Sequence, residues 1–319
     1  MRQVGLEFVS RGKVGIRDLG PPPRLKSTEI LLETAYTGIT NGTERHAFLS
    51  EQGYSQGRFP CQHGYQHVSK VVAIGQDVAH FEVDDWVFYG AYVGHNGWNV
   101  ADQNSLLVKL PAGIDRKFCA LFGVAGVALR SVRRMNVSHG DNVFVAGQGP
   151  IGYFVAQMAR VAGAKVTVTD QLQNRLDTAK NNGIHITMNI DDKETEARLI
   201  EGGPYNYVFD CCSAGELLSD LYQNRMLAYG GTVAMMAVRD MVSYPWGLLH
   251  GVEARIETSC HFDADDLRVL LFLYQQELVK TSSMVSHTVS IDEAVRIYQM
   301  LADGNPDLFG GIFDWSENA

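Results

Sequence analysis

The sequence predicts an α/β chain in which a β-rich front precedes a doubly wound parallel sheet. Residues 1–118 read mostly as short apolar runs punctuated by Gly, Asn and Asp. From 119 to 264 strand-like and helix-like segments alternate, the pattern that builds a parallel sheet with helices on both faces. From 265 the pattern is helix, short strand, helix and strand, and this tail is expected to pack back on the front to complete it.

In the front, Ile30–Tyr36, Val68–Gly75 and Trp86–Val93 have strand composition. The second region opens on Val143–Ala146, a strand-like apolar run. A helical Tyr153–Ala162 follows, and then a strand, Val166–Thr169, ending at Asp170. Further strands are expected at Tyr207–Cys211 and Gly231–Ala237, separated by a helix over Glu216–Ala228. Arg255–Cys260 reads as an edge strand. The tail carries helices over Ala264–Gln276 and Ile291–Ala302, with strands at Thr288–Ser290 and Gly310–Trp315.

The turn after the first strand of the parallel region is Gly147-x-Gly149-x-x-Gly152. With a strand before it, a helix after it and Asp170 ending the next strand, it has the register of a dinucleotide-binding βαβ unit. Gly147 permits the tight turn, Gly149 admits a pyrophosphate to the backbone, and Gly152 lets the helix approach the sheet. Pro150 and Ile151 open the helix whose free N–H groups and positive dipole end face the phosphates. Asp170 can accept from both hydroxyls of an adenosine ribose and repels a 2′-phosphate, so NAD(H) is the expected cofactor. Arg175, five residues on, resembles a basic residue that flanks the adenosine ribose in NAD-using proteins of the family named below, or is a solvated helix charge. Cys211 and Ser213, beyond a later strand end, are further cofactor-side candidates, although buried thiols are commonly inert packing.

Composition narrows the function classes. The 319 residues suffice for two domains and a large core. A net charge of -9 argues against nonspecific nucleic-acid binding. No apolar run is long enough to span a bilayer, and the N-terminal residues lack a signal-peptide core, so a cytoplasmic location without a membrane partner is expected. The five cysteines are scattered without a CxxC, which fits free thiols in a reducing compartment.

Several segments together resemble the medium-chain dehydrogenase/reductase family over essentially the whole chain. They are Thr37–Glu44, Gly64–Gly75, Val83–Phe88, the glycine fingerprint and Phe209–Gly215. The resemblance implies a GroES-like β-barrel domain over 1–118, completed by 265–319, and a Rossmann domain over 119–264, with the active site in the cleft between them. It also implies a homodimer built by pairing the last strands of the cofactor sheet. Asn41–Arg45 and Gly64–Tyr65 look most like the bacteriochlorophyllide hydroxyethyl dehydrogenase branch.

Departures from the family pattern redirect the chemistry. Where zinc-dependent members read Cys-Gly-Ser/Thr-Asp, this chain has Asn41-Gly42-Thr43-Glu44; where they read Gly-His-Glu, it has Gly64-Tyr65-Gln66. The third ligand position falls near Gly123, and no cysteine lies between 61 and 119 to build the structural zinc lobe. A catalytic zinc needs thiolate, imidazole or carboxylate donors, so no metal is expected, the alternative being a relocated site among His46, His63, His67 and His95. Without a metal, hydrogen bonds or proton transfer must stabilise the developing alkoxide. The catalytic candidates are Thr43, which matches the family's proton-relay hydroxyl, Tyr65, Glu44 and His95, with His46 and Tyr92 behind them. Glu44 orients neighbours, holds a ribose or pairs with Arg45; Tyr65 donates a proton or fills space. The expected activity is NAD(H)-dependent, zinc-independent interconversion of a secondary alcohol and a ketone, on a small-molecule substrate. An enoyl or quinone reductase and a catalytically inactive NAD(H)-binding protein are the alternatives.

Overall fold

The computed structural model describes residues 1–51 and 57–316. Strands β1 (Val4–Ser10), β2 (Lys13–Asp18) and β3 (Glu29–Gly38) lead to helix α1 (Asn41–Leu49). Next come β4 (His67–Ile74), β5 (Trp86–Tyr89), β6 (Trp98–Asp102) and β7 (Leu107–Lys109). Helix α2 (Phe122–Met135) precedes β8 (Asn142–Ala146), α3 (Pro150–Val161), β9 (Lys165–Asp170), α4 (Gln173–Asn181) and β10 (Ile186–Asn189). There follow α5 (Thr195–Gly202), β11 (Tyr205–Asp210), α6 (Leu217–Gln223), β12 (Leu227–Met235), α7 (Trp246–His250) and β13 (Arg255–Glu257). The chain ends through α8 (Ala264–Gln275), β14 (Val285–Ser290), α9 (Ala294–Ala302) and β15 (Gly310–Asp314).

The chain divides into two compact units. The first takes Met1–Gly123, Asp263–Gln275 and Thr281–Ala319; the second takes Val124–Phe262 and Gln276–Lys280. In the first unit one sheet runs β14-β15-β3-β4-β5-β7. The long β3 pairs with β6 over Glu29–Glu33 and with β15 over Tyr36–Gly38, so the end of the chain seals the same edge. One core here gathers Leu6, Phe8, Phe48, Ile297, Tyr298 and Phe313. A second, with Ile30, Leu32, Val71 and Val87, fills the barrel side of β3, β4 and β5.

The second unit is a parallel sheet in the order β10-β9-β8-β11-β12-β13. Its central strands are apolar on both faces because helices cover both: Val143, Val145, Val168, Val208 and Phe209 are fully buried. Truncating Phe209 to alanine would cost about 3–5 kcal/mol through the cavity left behind.

Three sequence expectations are corrected here. The helix from Glu216 stops at Gln223, because Arg225 turns left-handed (φ 52°) and Leu227 already belongs to β12. The edge strand reaches only Arg255–Glu257 rather than Cys260; Thr258 onward has left the ladder. The strand from Trp86 ends at Tyr89, where the chain enters an irregular loop through Gly94, whose φ is +79°.

Candidate functional site

In the second unit, β8 delivers the chain into a left-handed Gly147 (φ +90°), followed by an extended Gly149 that caps α3. Pro150 at the first helical position needs no N–H partner. A Cβ on Gly152 would overlap the Gly147 carbonyl oxygen, whereas one on Gly149 would meet nothing, so the backbone at Gly149 is approachable. Asp170 ends β9 with its carboxylate turned into this turn: it accepts from Gln148 N at 2.7 Å and Leu172 N at 2.8 Å. Arg175 Nη1 lies 3.7 Å from the same carboxylate, so the sequence candidate pairs with Asp170.

At the end of β11, buried Asp210 accepts from Ser213 N at 2.9 Å and shapes the loop holding Cys211, Cys212 and Ser213. Burial pushes both thiols up, Cys211 well above its ordinary value, which makes them poor nucleophiles. Arg239 Nη1 lies 2.8 Å from Asp210 Oδ2, an ion pair out of line for a hydrogen bond. A cavity of about 600 Å³ lies at the carboxyl ends of β12 and β13, lined by Met236, Val238, Arg239, Val242, Tyr244 and Ser259 among others. Arg239 Nη2 and Ser259 Oγ are buried without a hydrogen-bond partner among the described residues. Sequence reasoning did not single out Arg239; its only signal was a cation following an apolar strand.

In the first unit the structure joins several candidates. Thr43 is half-buried on α1, a helix the sequence did not announce. Glu44 beside it is 1% exposed and does not pair with Arg45, as one expectation had it; Arg45 binds Glu51 at 2.8 Å. Glu44 Oε2 instead meets His95 Nε2 at 3.0 Å and accepts from the Tyr298 hydroxyl at 2.6 Å, while Oε1 accepts from Thr40 N at 2.7 Å. Burial alone would raise this carboxyl, but His95, Thr40 and Tyr298 together hold it below its ordinary value. Burial, and then the neighbouring Glu44 charge, push the Tyr298 phenol well above its own.

Tyr65 is 3% exposed, and its ring centroid lies 4.7 Å from that of the exposed Tyr92, the two rings tilted by 43°. His46 Nδ1 lies 3.3 Å from Glu51 Oε2. His67 is enclosed, with Nε2 2.7 Å from Gly94 O, and burial lowers it to about 4.

The positions that would carry zinc do not suit it. Asn41 spends its amide on the carbonyls of Leu308 and Phe309. A Cβ added at Gly123 would fall 2.6 Å from the Tyr65 ring and 2.5 Å from Gln66 Cγ, so these residues occupy the space of a side chain there. Gln66 turns to Gly38 O and Thr40 Oγ1. Among the described residues no cluster of three His, Cys, Asp or Glu is placed to hold a metal ion.

This fold is the one seen in medium-chain dehydrogenase/reductase structures, a GroES-like domain and a Rossmann domain. Residues 150–275 match the family model described as zinc-binding dehydrogenase. L-threonine 3-dehydrogenase of Yersinia pseudotuberculosis is 26% identical over 253 residues, covering 68% of this chain and 72% of that protein. Sorbitol dehydrogenase of Halalkalibacterium halodurans is 24% identical over 320 residues, covering 89% and 91%. An Escherichia coli oxidoreductase/dehydrogenase of unknown specificity superposes with a TM-score of 0.86 across 99% of this chain and 100% of that one. At 20% identity that last likeness concerns the fold alone.

Proposed function

We propose that the protein is an NAD(H)-dependent oxidoreductase that interconverts a secondary alcohol and a ketone without zinc. The observation that carries this reading is the open backbone at Gly149 beside a carboxylate, Asp170, already oriented by two backbone N–H groups. That turn suits a pyrophosphate on α3 and a ribose diol on Asp170. With the adenosine on the β9 side of β8, the second nucleotide half falls toward β11, β12 and β13. The cavity there offers it apolar walls with two buried donors, Arg239 Nη2 and Ser259 Oγ. Bound NAD supplies the hydride acceptor, and NADH the donor, for the substrate carbon.

The chain's own task is the proton on the substrate oxygen. Thr43 and Tyr65 are the hydroxyls assigned to it, and the lack of thiolate, imidazole or carboxylate at Asn41, Tyr65 and Gly123 supports a metal-free site. Sorbitol and L-threonine, named for the relatives, enter the substrate panel beside isopropanol and cyclohexanol. Among the described residues β13 is the last strand of its sheet, which makes a homodimer part of the same reading.

One preparation tests these points. It is expected to hold no stoichiometric zinc by elemental analysis, to sediment as a dimer at micromolar concentration and to oxidise a panel member with NAD. Thr43→Val is expected to lower kcat by about 10²–10³, with Tyr65→Phe having the smaller effect. About one zinc per chain, with activity lost to a chelator, would sink the metal-free mechanism.

A further inference from the structure

Glu44 and His95 lie in a circuit of five buried side chains whose members are far apart in sequence. Trp315 Nε1 donates to Thr37 Oγ1 at 3.0 Å, and Thr37 Oγ1 lies 2.7 Å from His95 Nδ1. An indole N–H can only donate, so Thr37 Oγ1 accepts from Trp315 and keeps one further lone pair and its own proton for the contact with His95 Nδ1. A carboxylate only accepts, so His95 Nε2 donates to Glu44 Oε2 at 3.0 Å; this direction is assigned from the partner. Tyr298 donates to the same oxygen at 2.6 Å, reaching across 254 residues of chain.

The circuit is closed. Thr37 and Tyr298 are 0% exposed, Glu44 and His95 1%, and Trp315 3%. Their side-chain polar atoms end on one another or on Thr40 N. No hydrogen bond among the described residues carries a proton from this circuit to solvent or to a surface a substrate could reach. A group that exchanges protons with substrate needs such an exit; one that holds its neighbours does not.

Two neighbouring segments touch the circuit. Glu44 directly follows Thr43 and ties down the first turn of α1 through Thr40 N. Gly64, with φ +131°, lies so close to the His95 ring that a Cβ there would come within 2.9 Å of Cδ2 and 3.0 Å of Nε2. Tyr65 is the next residue.

We propose that the Tyr298–Glu44–His95–Thr37–Trp315 circuit positions both proton-handling segments, with Tyr298 as the positioning residue that locks it from α9. This role rests on the reading that the Thr43 and Tyr65 hydroxyls act on the substrate. Glu44 and His95 then act through Thr43 and Tyr65 and do not meet the substrate themselves. A buried carboxylate with three donors is rigid because losing any donor leaves charge poorly compensated.

Tyr298→Phe removes the hydroxyl and keeps the ring. Amide hydrogen exchange is expected to rise about tenfold in α1 and around Gly64–Tyr65, with no change across β8 and β9. On the best alcohol of the isopropanol, cyclohexanol, sorbitol and L-threonine panel, kcat is expected to fall about tenfold at unchanged KM and NADH affinity. Adding Tyr298→Phe to Thr43→Val should slow the enzyme less than it slows the parent. His95→Gln, which keeps an N–H donor, should retain more activity than His95→Leu. Tyr205→Phe is the control: it removes an equally buried hydroxyl, bonded to Leu199 O at 3.0 Å in the second unit, and should leave kcat and α1 exchange as in the parent.

Exchange changes confined to α9, or spread evenly over the first unit, would overturn the proposal, as would parental kcat in Tyr298→Phe. A slowed Tyr298→Phe beside fully active Thr43→Val and Tyr65→Phe would overturn the link to those hydroxyls. If the parent oxidises no panel member, the functional reading fails, and the exchange pattern still decides whether the circuit holds both segments.

Discussion

Asp170 and Glu44 are both carboxylates placed beside a glycine-containing segment, and they are held in opposite ways. Asp170 is fixed by two N–H groups of adjacent backbone, with Arg175 at 3.7 Å, and borders a turn whose Gly149 is open. Glu44 is fixed by a backbone N–H, an imidazole and a phenol, and nothing of it reaches the surface. The first arrangement leaves acceptor capacity for a ligand; the second uses that capacity inside the protein. What separates the two buried carboxylates is that the partners of Asp170 are local backbone beside an open turn, whereas those of Glu44 come from distant side chains and Thr40 N.

The largest effect is expected where the closed carboxylate loses a partner. His95→Leu leaves the Glu44 charge buried with one donor fewer and should lower the stability of the first unit by about 3–5 kcal/mol in urea unfolding. Asp170→Ala, which frees two N–H groups of a turn bordered by the open Gly149 and leaves no buried charge behind, should cost far less. Equal losses in the two variants would erase the contrast.

Acid should act on the closed side next. The His67 imidazole is held at about 4 against 6.5 when free, so the unfolded chain binds a proton that the folded chain refuses between those values. Stability is then full above pH 6.5 and falls as the pH drops toward about 4, by about 3 kcal/mol in all. Glu44, whose carboxyl lies below its free value of 4.5, adds stability that is present above that value and is lost as pH falls through its folded pKa. Urea midpoints across this range should fall with acidification, and His67→Gln should flatten the upper part of the curve. A midpoint independent of pH in the parent would contradict both assignments.

The smallest expected effect sharpens the open side. Asp170 should favour NAD(H) over NADP(H) by at least about tenfold, or about 1.4 kcal/mol, because it repels a 2′-phosphate. Fluorescence titration with NADH and NADPH measures the gap, and Asp170→Ala should narrow it by weakening NADH. Equal affinities in the parent would show that Arg175 outweighs the carboxylate.

The two sides also differed in how far the sequence revealed them. The turn from Gly147 to Asp170 lies within one βαβ unit, so spacing alone displayed its parts and the parallel sheet around it. The Glu44 circuit was not legible, because Thr37 and Trp315 stand 278 residues apart and no periodicity joins them. Helix α1 was hidden for a related reason. Asn41-Gly42-Thr43 is poor helix sequence, and the helix is held by Glu44 reaching back to Thr40 and by Ala47 and Phe48 in the core. The edge strand was overestimated because Thr258–Cys260 has strand composition without a neighbour to pair with in the described residues. Arg239 escaped notice because its meaning comes from Asp210, on a different strand.

The pairing of β15 with β3 sets an order of events during synthesis. Val124–Phe262, nearly the whole second unit, has left the ribosome before Tyr298 and Trp315 are made. That unit can therefore close while the first still lacks β14, β15 and two of the donors around Glu44 and Thr37. Until they arrive, the Tyr36–Gly38 end of β3 lacks its partner strand and Glu44 lacks its phenol, so the part translated first is the last to be completed.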